Sequence, residues 1–238
     1  MKENGELYHN YSSNKEPTIG FLDDYAFFTW GLIELYEATF EVTYLAKALQ
    51  LTDYMIENFK DTENGGFFHT SNKSETLLFR KKEIYDGAIP SGNSVELNNL
   101  LRLSNFTGNP QLNSEAINTS NAFASTVKAM PVGYTHFIAG LDLAFAPPVE
   151  IVIAGELDSE DTQLMLNNIN REFIPGKTVI VKSEKNEKEL ERVAPYTSIY
   201  KPQNQKTTAY VCQNHECSLP TTNPQIIVEI LKKLHNIQ

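Results

Sequence analysis

Tyr85-Asp86-Gly87-Ala88-Ile89-Pro90-Ser91-Gly92-Asn93-Ser94 runs straight into an apolar stretch, 95–106, that reads as a buried helix. A carboxylate, two glycines, a proline, hydroxyls and an amide crowd the start of a helix otherwise suited to a core. Ser91 or Asn93 can cap that helix, and Asn93 followed by Glu96 has capping-box spacing. Helix N-termini favour anionic and hydroxylated groups, so this stretch is the candidate wall of a pocket.

The chain on either side repeats the pattern. Residues 1–20 are polar and form a loop or tail. Leu22-Asp23-Asp24-Tyr25 then opens a helix to about residue 39, apolar nearly all round and capped by Asp23 or Asp24. The helix over about 42–59 is amphipathic, with Leu45, Leu49, Thr52, Ile56 and Phe59 on its apolar stripe. Segments 66–69 and 77–80 read as a short hairpin or a pair of extended segments. After Gly108-Asn109-Pro110 a more polar helix covers about 112–130, and a last apolar helix covers 137–145.

Buried and surface helices therefore alternate. Short links make successive helices antiparallel, so the three apolar ones run parallel and start at one end. From Ala146-Pro147-Pro148 onward the texture changes. Residues 150–154 and 177–181 read as strands flanking a helix at 159–173, a βαβ unit. A short helix (186–193), a strand (207–212) and a closing helix capped by Asn223, with Pro224 at its first position, complete the order. The expected domains are a polar segment 1–20, a helical part 21–147 and a small α/β part 148–238.

Composition limits the function classes. The 238 residues carry a net charge of -10, and 41% are hydrophobic, enough for a packed core. An acidic surface repels phosphate backbones and anionic lipid, so neither nucleic acid nor membrane is an expected partner. No apolar run approaches the roughly 20 residues of a membrane span. The first residues hold no apolar signal-peptide core, and a cytoplasmic location is the expectation.

Gly20-Phe21-Leu22-Asp23-Asp24-Tyr25-Ala26-Phe27 and Asp86-Gly87-Ala88-Ile89-Pro90-Ser91-Gly92-Asn93-Ser94-Val95 resemble motifs of the YyaL/spermatogenesis-associated protein 20 family. Ala209-Tyr210-Val211-Cys212, with Cys217 and Pro220, is similar to that family's tail. The resemblance implies a thioredoxin-like domain (domain of unknown function 255) followed by an (α/α)6 toroid. The thioredoxin-like domain has no counterpart here, so the chain resembles the C-terminal third of such a protein. The fold implied is mainly α, a partial (α/α)6 toroid of helical hairpins followed by a small α/β domain. Five helices supply about two and a half of the six hairpins, so a missing upstream segment or self-association is expected to cover the exposed flanks. The toroid is similar to those of N-acylglucosamine 2-epimerases and six-hairpin glycosidases, which points to a sugar-like ligand by analogy of fold.

Several side chains can carry chemistry, each with a plainer role beside it. Asp86 and Asp24 are the candidate catalytic carboxylates, as paired acids in glycoside hydrolysis would be, or they are helix caps. Asp23, Tyr25, Ser91, Asn93, Ser94, Tyr134 and His136 are candidate ligand contacts. His136 can act as a base near neutrality, and Trp30 either stacks on a sugar ring or fills the core. Cys212 and Cys217, with four residues between them including His215, are structural thiols, a reversible disulfide with a redox role, or half of a metal site that no other cluster completes. No cofactor fingerprint follows the lone Gly155, and no cofactor or metal is expected. Two further function classes stand beside the sugar-site reading: a non-catalytic interaction or scaffold module, and a redox role through the cysteines.

Overall fold

The computed structural model describes residues 1–10, 16–75, 78–214 and 216–235; Leu77 and His215, both used above, lie outside them. The chain forms two compact units, Met1–Ser104 with Asn109–Ala144, and Phe145 onward with Asn105–Gly108. Helices α1 (Leu22–Thr39), α2 (Val42–Phe59), α3 (Gly92–Thr107), α4 (Pro110–Ala129) and α5 (Thr135–Phe145) make the first. Among the described residues they close no ring.

Contacts between α1 and α3 advance together along both helices. Asp23 meets the amide of Gly92, the Ala26 carbonyl accepts from Asn99 Nδ2 at 2.8 Å, and Arg102 pairs with Glu34 and Glu37 at 2.7 and 2.9 Å. Such a register requires parallel helices. The starts of α3 and α5 also lie together, since Asp86 accepts the amides of Ser91 and of His136 and Phe137, and farther along Gly140 lies against Leu97 and Asn98. Two glycines permit these close approaches. A Cβ at Gly92 would stand 2.4 Å from Asp23 Oδ1, and one at Gly140 would stand 3.0 Å from Leu97.

Burial follows the sequence pattern with two differences. In α3, Val95, Leu97, Leu100 and Leu103 are fully buried, and truncating any one to alanine costs roughly 2–5 kcal/mol. On α2 the stripe is wider than expected, with Ala48, Leu51 and Met55 buried beside Leu45, Thr52 and Phe59, while Leu49 and Ile56 are half-buried. The larger departure is α5. Its composition predicts a third buried helix, yet only Phe137 and Gly140 are buried and Ile138 is exposed. Composition reports what a helix can bury, and it takes neighbours on each side to bury it.

Local capping also differs from expectation. Phe21, not Asp23 or Asp24, occupies the cap position of α1; Asp24 reaches back from the first turn to accept the Phe21 amide at 2.8 Å. Asn93 and Glu96 form no capping box. Ser91 Oγ accepts the Ser94 amide, and the Asn93 side chain faces a strand-like segment instead. It accepts from the Phe67 amide (2.8 Å) and donates to the Phe67 and Glu83 carbonyls (2.9 and 2.8 Å). The first expected segment is thereby tied to α3, and it meets residues just past the second, through the His69 amide on the Lys81 carbonyl, while Phe67 bridges Lys60.

In the second unit, strands β1 (Val149–Ala154), β2 (Lys177–Lys182), β3 (Thr208–Gln213) and β4 (Glu216–Cys217) form one sheet in the order β2-β1-β3-β4. Strands β1 and β2 are parallel across helix α6 (Glu160–Arg171), and β3 alone runs against its neighbours. A short helix α7 (Glu187–Val193) precedes β3, and α8 (Pro224–His235) packs on α6. Asn223 caps α8 by accepting the Gln225 amide at 2.9 Å. The βαβ unit expected from sequence is present, and β3 joins it on the other side of β1. Here the start of α6 reads Ser159-Glu160-Asp161-Thr162, with the two hydroxyls 2.9 Å apart.

One buried group gives the fold a pH dependence. Glu96 is wholly buried; one oxygen accepts from Asn99 Nδ2 at 3.1 Å, and Oε1 has no hydrogen-bond partner among the described residues. Burial pushes its carboxyl up to about 8, from 4.5. A raised folded pKa means the native state holds a proton that the unfolded chain releases. Stability is therefore full below about 4.5 and lost progressively up to about 8. In urea titrations the slope should reach about 1.4 kcal/mol per pH unit in that window. Glu96→Gln should flatten it, and an unchanged slope in the variant would show that another group is responsible.

Candidate functional site

Asp86 is the centre of the polar end of the helical unit. Its Oδ1 accepts the Ser91 amide at 3.0 Å, just before α3. Its Oδ2 accepts the His136 and Phe137 amides at 2.8 and 3.2 Å, in the first turn of α5. One carboxylate thus serves the unpaired amides of two helix N-termini. Asp23, from the first turn of α1, adds a third connection through the Gly92 amide. The parallel helices begin together because these carboxylates hold them there.

Other residues marked from sequence have internal partners. Asp24 accepts from Phe21 and lies 3.0 Å from His9 Nδ1. Tyr25 is in the core; its hydroxyl accepts the Leu7 amide at 2.8 Å and its ring stacks on Tyr54. Ser91 donates to Ser94 Oγ at 2.9 Å, and Asn93 holds Phe67; all three of Ser91, Asn93 and Ser94 are buried. Tyr25, Ser91, Asn93 and Ser94 therefore present no free polar group to a ligand. Their polarity closes the fold.

Asp23, Trp30, Tyr134 and His136 remain. Trp30 and His136 rings lie 5.2 Å apart, joining α1 to α5, while Trp30 Nε1 donates to Glu34. His136 Nε2 is buried and has no hydrogen-bond partner among the described residues. Burial lowers the His136 imidazole from its ordinary value, against the opposing pull of Asp86, so the ring is neutral at pH 7. Burial also raises the Asp23 carboxyl, opposed by the charge of His69 and by the Gly92 amide. Tyr134 is mostly buried with its ring edge-on to Tyr85. A neutral ring nitrogen beside an indole face can bind a hydroxyl group, while Asp23 lies two turns earlier on α1, by His69 and Gly92.

Sequence reading missed His69 and Asn98, and gave Glu96 to a capping box. His69 acts on Asp23 by charge, and Asn98 fixes the α5 backbone at His136. Glu96 and Asn99 carried a usable signal, two polar residues three apart in a run otherwise built for burial. Among the described residues no group of His, Cys, Asp and Glu could hold a metal ion, and no helix is long and apolar enough to cross a membrane.

The cysteines are joined. Cys212 and Cys217 form a disulfide between β3 and β4, so the structural-thiol and half-zinc-site readings both give way to a bond between directly opposed strand neighbours.

Fold and site define a helical unit of parallel apolar helices pinned at their starts, followed by a small α/β unit. No protein-family model matches the chain. It is 36% identical over 220 residues to spermatogenesis-associated protein 20 of Homo sapiens, covering 92% of this chain and 28% of that protein. The rat and mouse proteins of the same name are each 34% identical over the same length. These similarities support the spermatogenesis-associated protein 20 family, and the chain spans about 28% of the length of these curated relatives.

If Asp86 is chiefly the clamp between α3 and α5, Asp86→Ala should destabilise the unit by about 2–4 kcal/mol, more than an ordinary single cap. Urea unfolding monitored by Trp30 fluorescence measures this. A loss under about 0.5 kcal/mol, within the range of ordinary surface substitutions, would contradict the clamp.

Proposed function

We propose that the helical unit supplies one wall of a site for a hydroxylated, sugar-like ligand, with an epimerase-like or glycosidase-like reaction. The observation that supports this reading is the buried, unpartnered Nε2 of His136 beside Trp30. Leaving such an atom without a partner costs roughly 1–3 kcal/mol, which a ligand hydroxyl would recover on binding. In this reading His136 meets the ligand and Trp30 stacks on its ring. Asp24 and Asp86 hold the backbone, so Asp86 is a positioning residue acting through His136. The test is calorimetry across a panel of aldoses and N-acyl amino sugars. Wild type should bind at least one, and His136→Ala should lose at least about tenfold in affinity, or 1.4 kcal/mol. Wild-type heats equal to the blank across the panel sink the reading.

A second reading, a non-catalytic interaction module, has its own support. On α1, Phe28 and Leu35 are 46% and 44% exposed, and the space above Gly31 between them is open. A helix apolar all round belongs inside a larger packing. The occupant of that stripe in this reading is a second copy of the chain. Light scattering should give a mass that rises with concentration for wild type and stays monomeric for Leu35→Glu. A wild type that is monomeric throughout removes this reading.

A further inference from the structure

Cys212 and Cys217 stand opposite each other in the β3–β4 ladder, their Cα atoms 4.0 Å apart, yet their surroundings are unlike. Cys212 is 5% exposed, with its sulfur 3.9 Å from the Tyr200 hydroxyl. Cys217 is exposed, on a strand of two residues. Burial, with Glu150 and Tyr210 nearby, raises the Tyr200 phenol above its ordinary value, so it stays protonated and can donate. The hairpin does not depend on the sulfurs alone. Beyond them the Ser218 amide donates to the Val211 carbonyl, and Ala209 and Thr221 exchange two backbone hydrogen bonds.

We propose that this disulfide is an exchange site for low-molecular-weight thiols of the glutathione kind, with attack directed to Cys217. The attacking thiolate reaches only the exposed sulfur. A new S–S bond forms between the thiol and Cys217 as the Cys212–Cys217 bond breaks, and its electron pair leaves on Cys212. That thiolate forms under the Tyr200 hydroxyl, whose donated hydrogen bond favours the charge, and a stabilised leaving thiolate departs faster. A second thiol then attacks the mixed disulfide and releases the Cys217 thiol. Two thiols are oxidised to one disulfide, and the protein gains two electrons and two protons. The surviving backbone bonds keep the unit folded throughout. The inference is independent of the sugar-site reading, since it uses residues of the α/β unit alone.

The experiment incubates the folded chain with glutathione, quenches in acid, alkylates, and locates each cysteine's adduct by peptide mass spectrometry. Glutathione should appear on Cys217 and the alkyl group on Cys212, with circular dichroism unchanged. Tyr200→Phe should slow adduct formation by at least about threefold. A parallel urea titration of the oxidised variant shows whether it is folded. Adducts that form only in unfolding concentrations of urea overturn the proposal, as do adducts shared equally between the two cysteines. An unchanged rate in a folded Tyr200→Phe overturns the role of the hydroxyl in directing it.

Discussion

Asp86 accepts three backbone amides from two helices, and the arrangement of the helical unit depends on it. Parallel helices place their N-termini together, and each N-terminus carries roughly half a positive charge and several unpaired amides. Like dipoles side by side repel. Carboxylates placed between the ends convert that repulsion into attraction, which is why Asp23, Asp24 and Asp86 cluster where α1, α3 and α5 begin. A concentration of acids that looks like a hydrolase site in sequence is, in the first place, what parallel packing demands.

The same constraint sorts the remaining polar groups. A residue whose lone pairs are filled by backbone amides has little left for a ligand, and removing it costs stability before it costs activity. His136 is the reverse case. Asp86 and Asn98 hold its backbone on either side, through its amide and its carbonyl, while its ring nitrogen is left without a partner among the described residues. Glu96 resembles it in being buried with an unpartnered oxygen, but it lies inside α3 against Asn99 and Ala26, where its protonation governs stability. Burial alone does not separate a site from a core. The distinction is whether the neighbouring backbone is held from outside the residue.

Most helices were legible because hydrophobic period and start signals act locally: α2 carries the period, α1 an acidic first turn, and Asn223-Pro224 marks the start of α8 plainly. Their parallel order followed from alternation and short links, since chain connectivity restricts direction. Partners across space were not legible. Asn93 and Glu96 have the spacing of a capping box, but Asn93 finds a better set of partners in the Phe67 and Glu83 backbone, 26 and 10 residues away. Tyr25 and Trp30 look alike from sequence. One is sealed in the core by Leu7 and Tyr54, and the other lies against the ring of α5. The exposure of α5 was hidden too, because a sequence reports apolar content and not the neighbours available to cover it.

The α/β unit makes the same point through topology. Strand order is set by which edges pair, and no local signal in 149–213 announces that β3 enters between β1 and β4. Ser159, Thr162 and Thr207 bring hydroxyls within 2.9 and 3.2 Å of one another at the start of α6. Oxygen at those positions can hydrogen-bond but cannot form the covalent bond that sulfur would. Among the described residues the unit's capacity for thiol chemistry therefore lies on the β3–β4 hairpin, with the sulfur of Cys217 open to solvent and that of Cys212 under Tyr200. A disulfide offers two sulfurs to an attacking thiol, and the accessibility of each decides which can react.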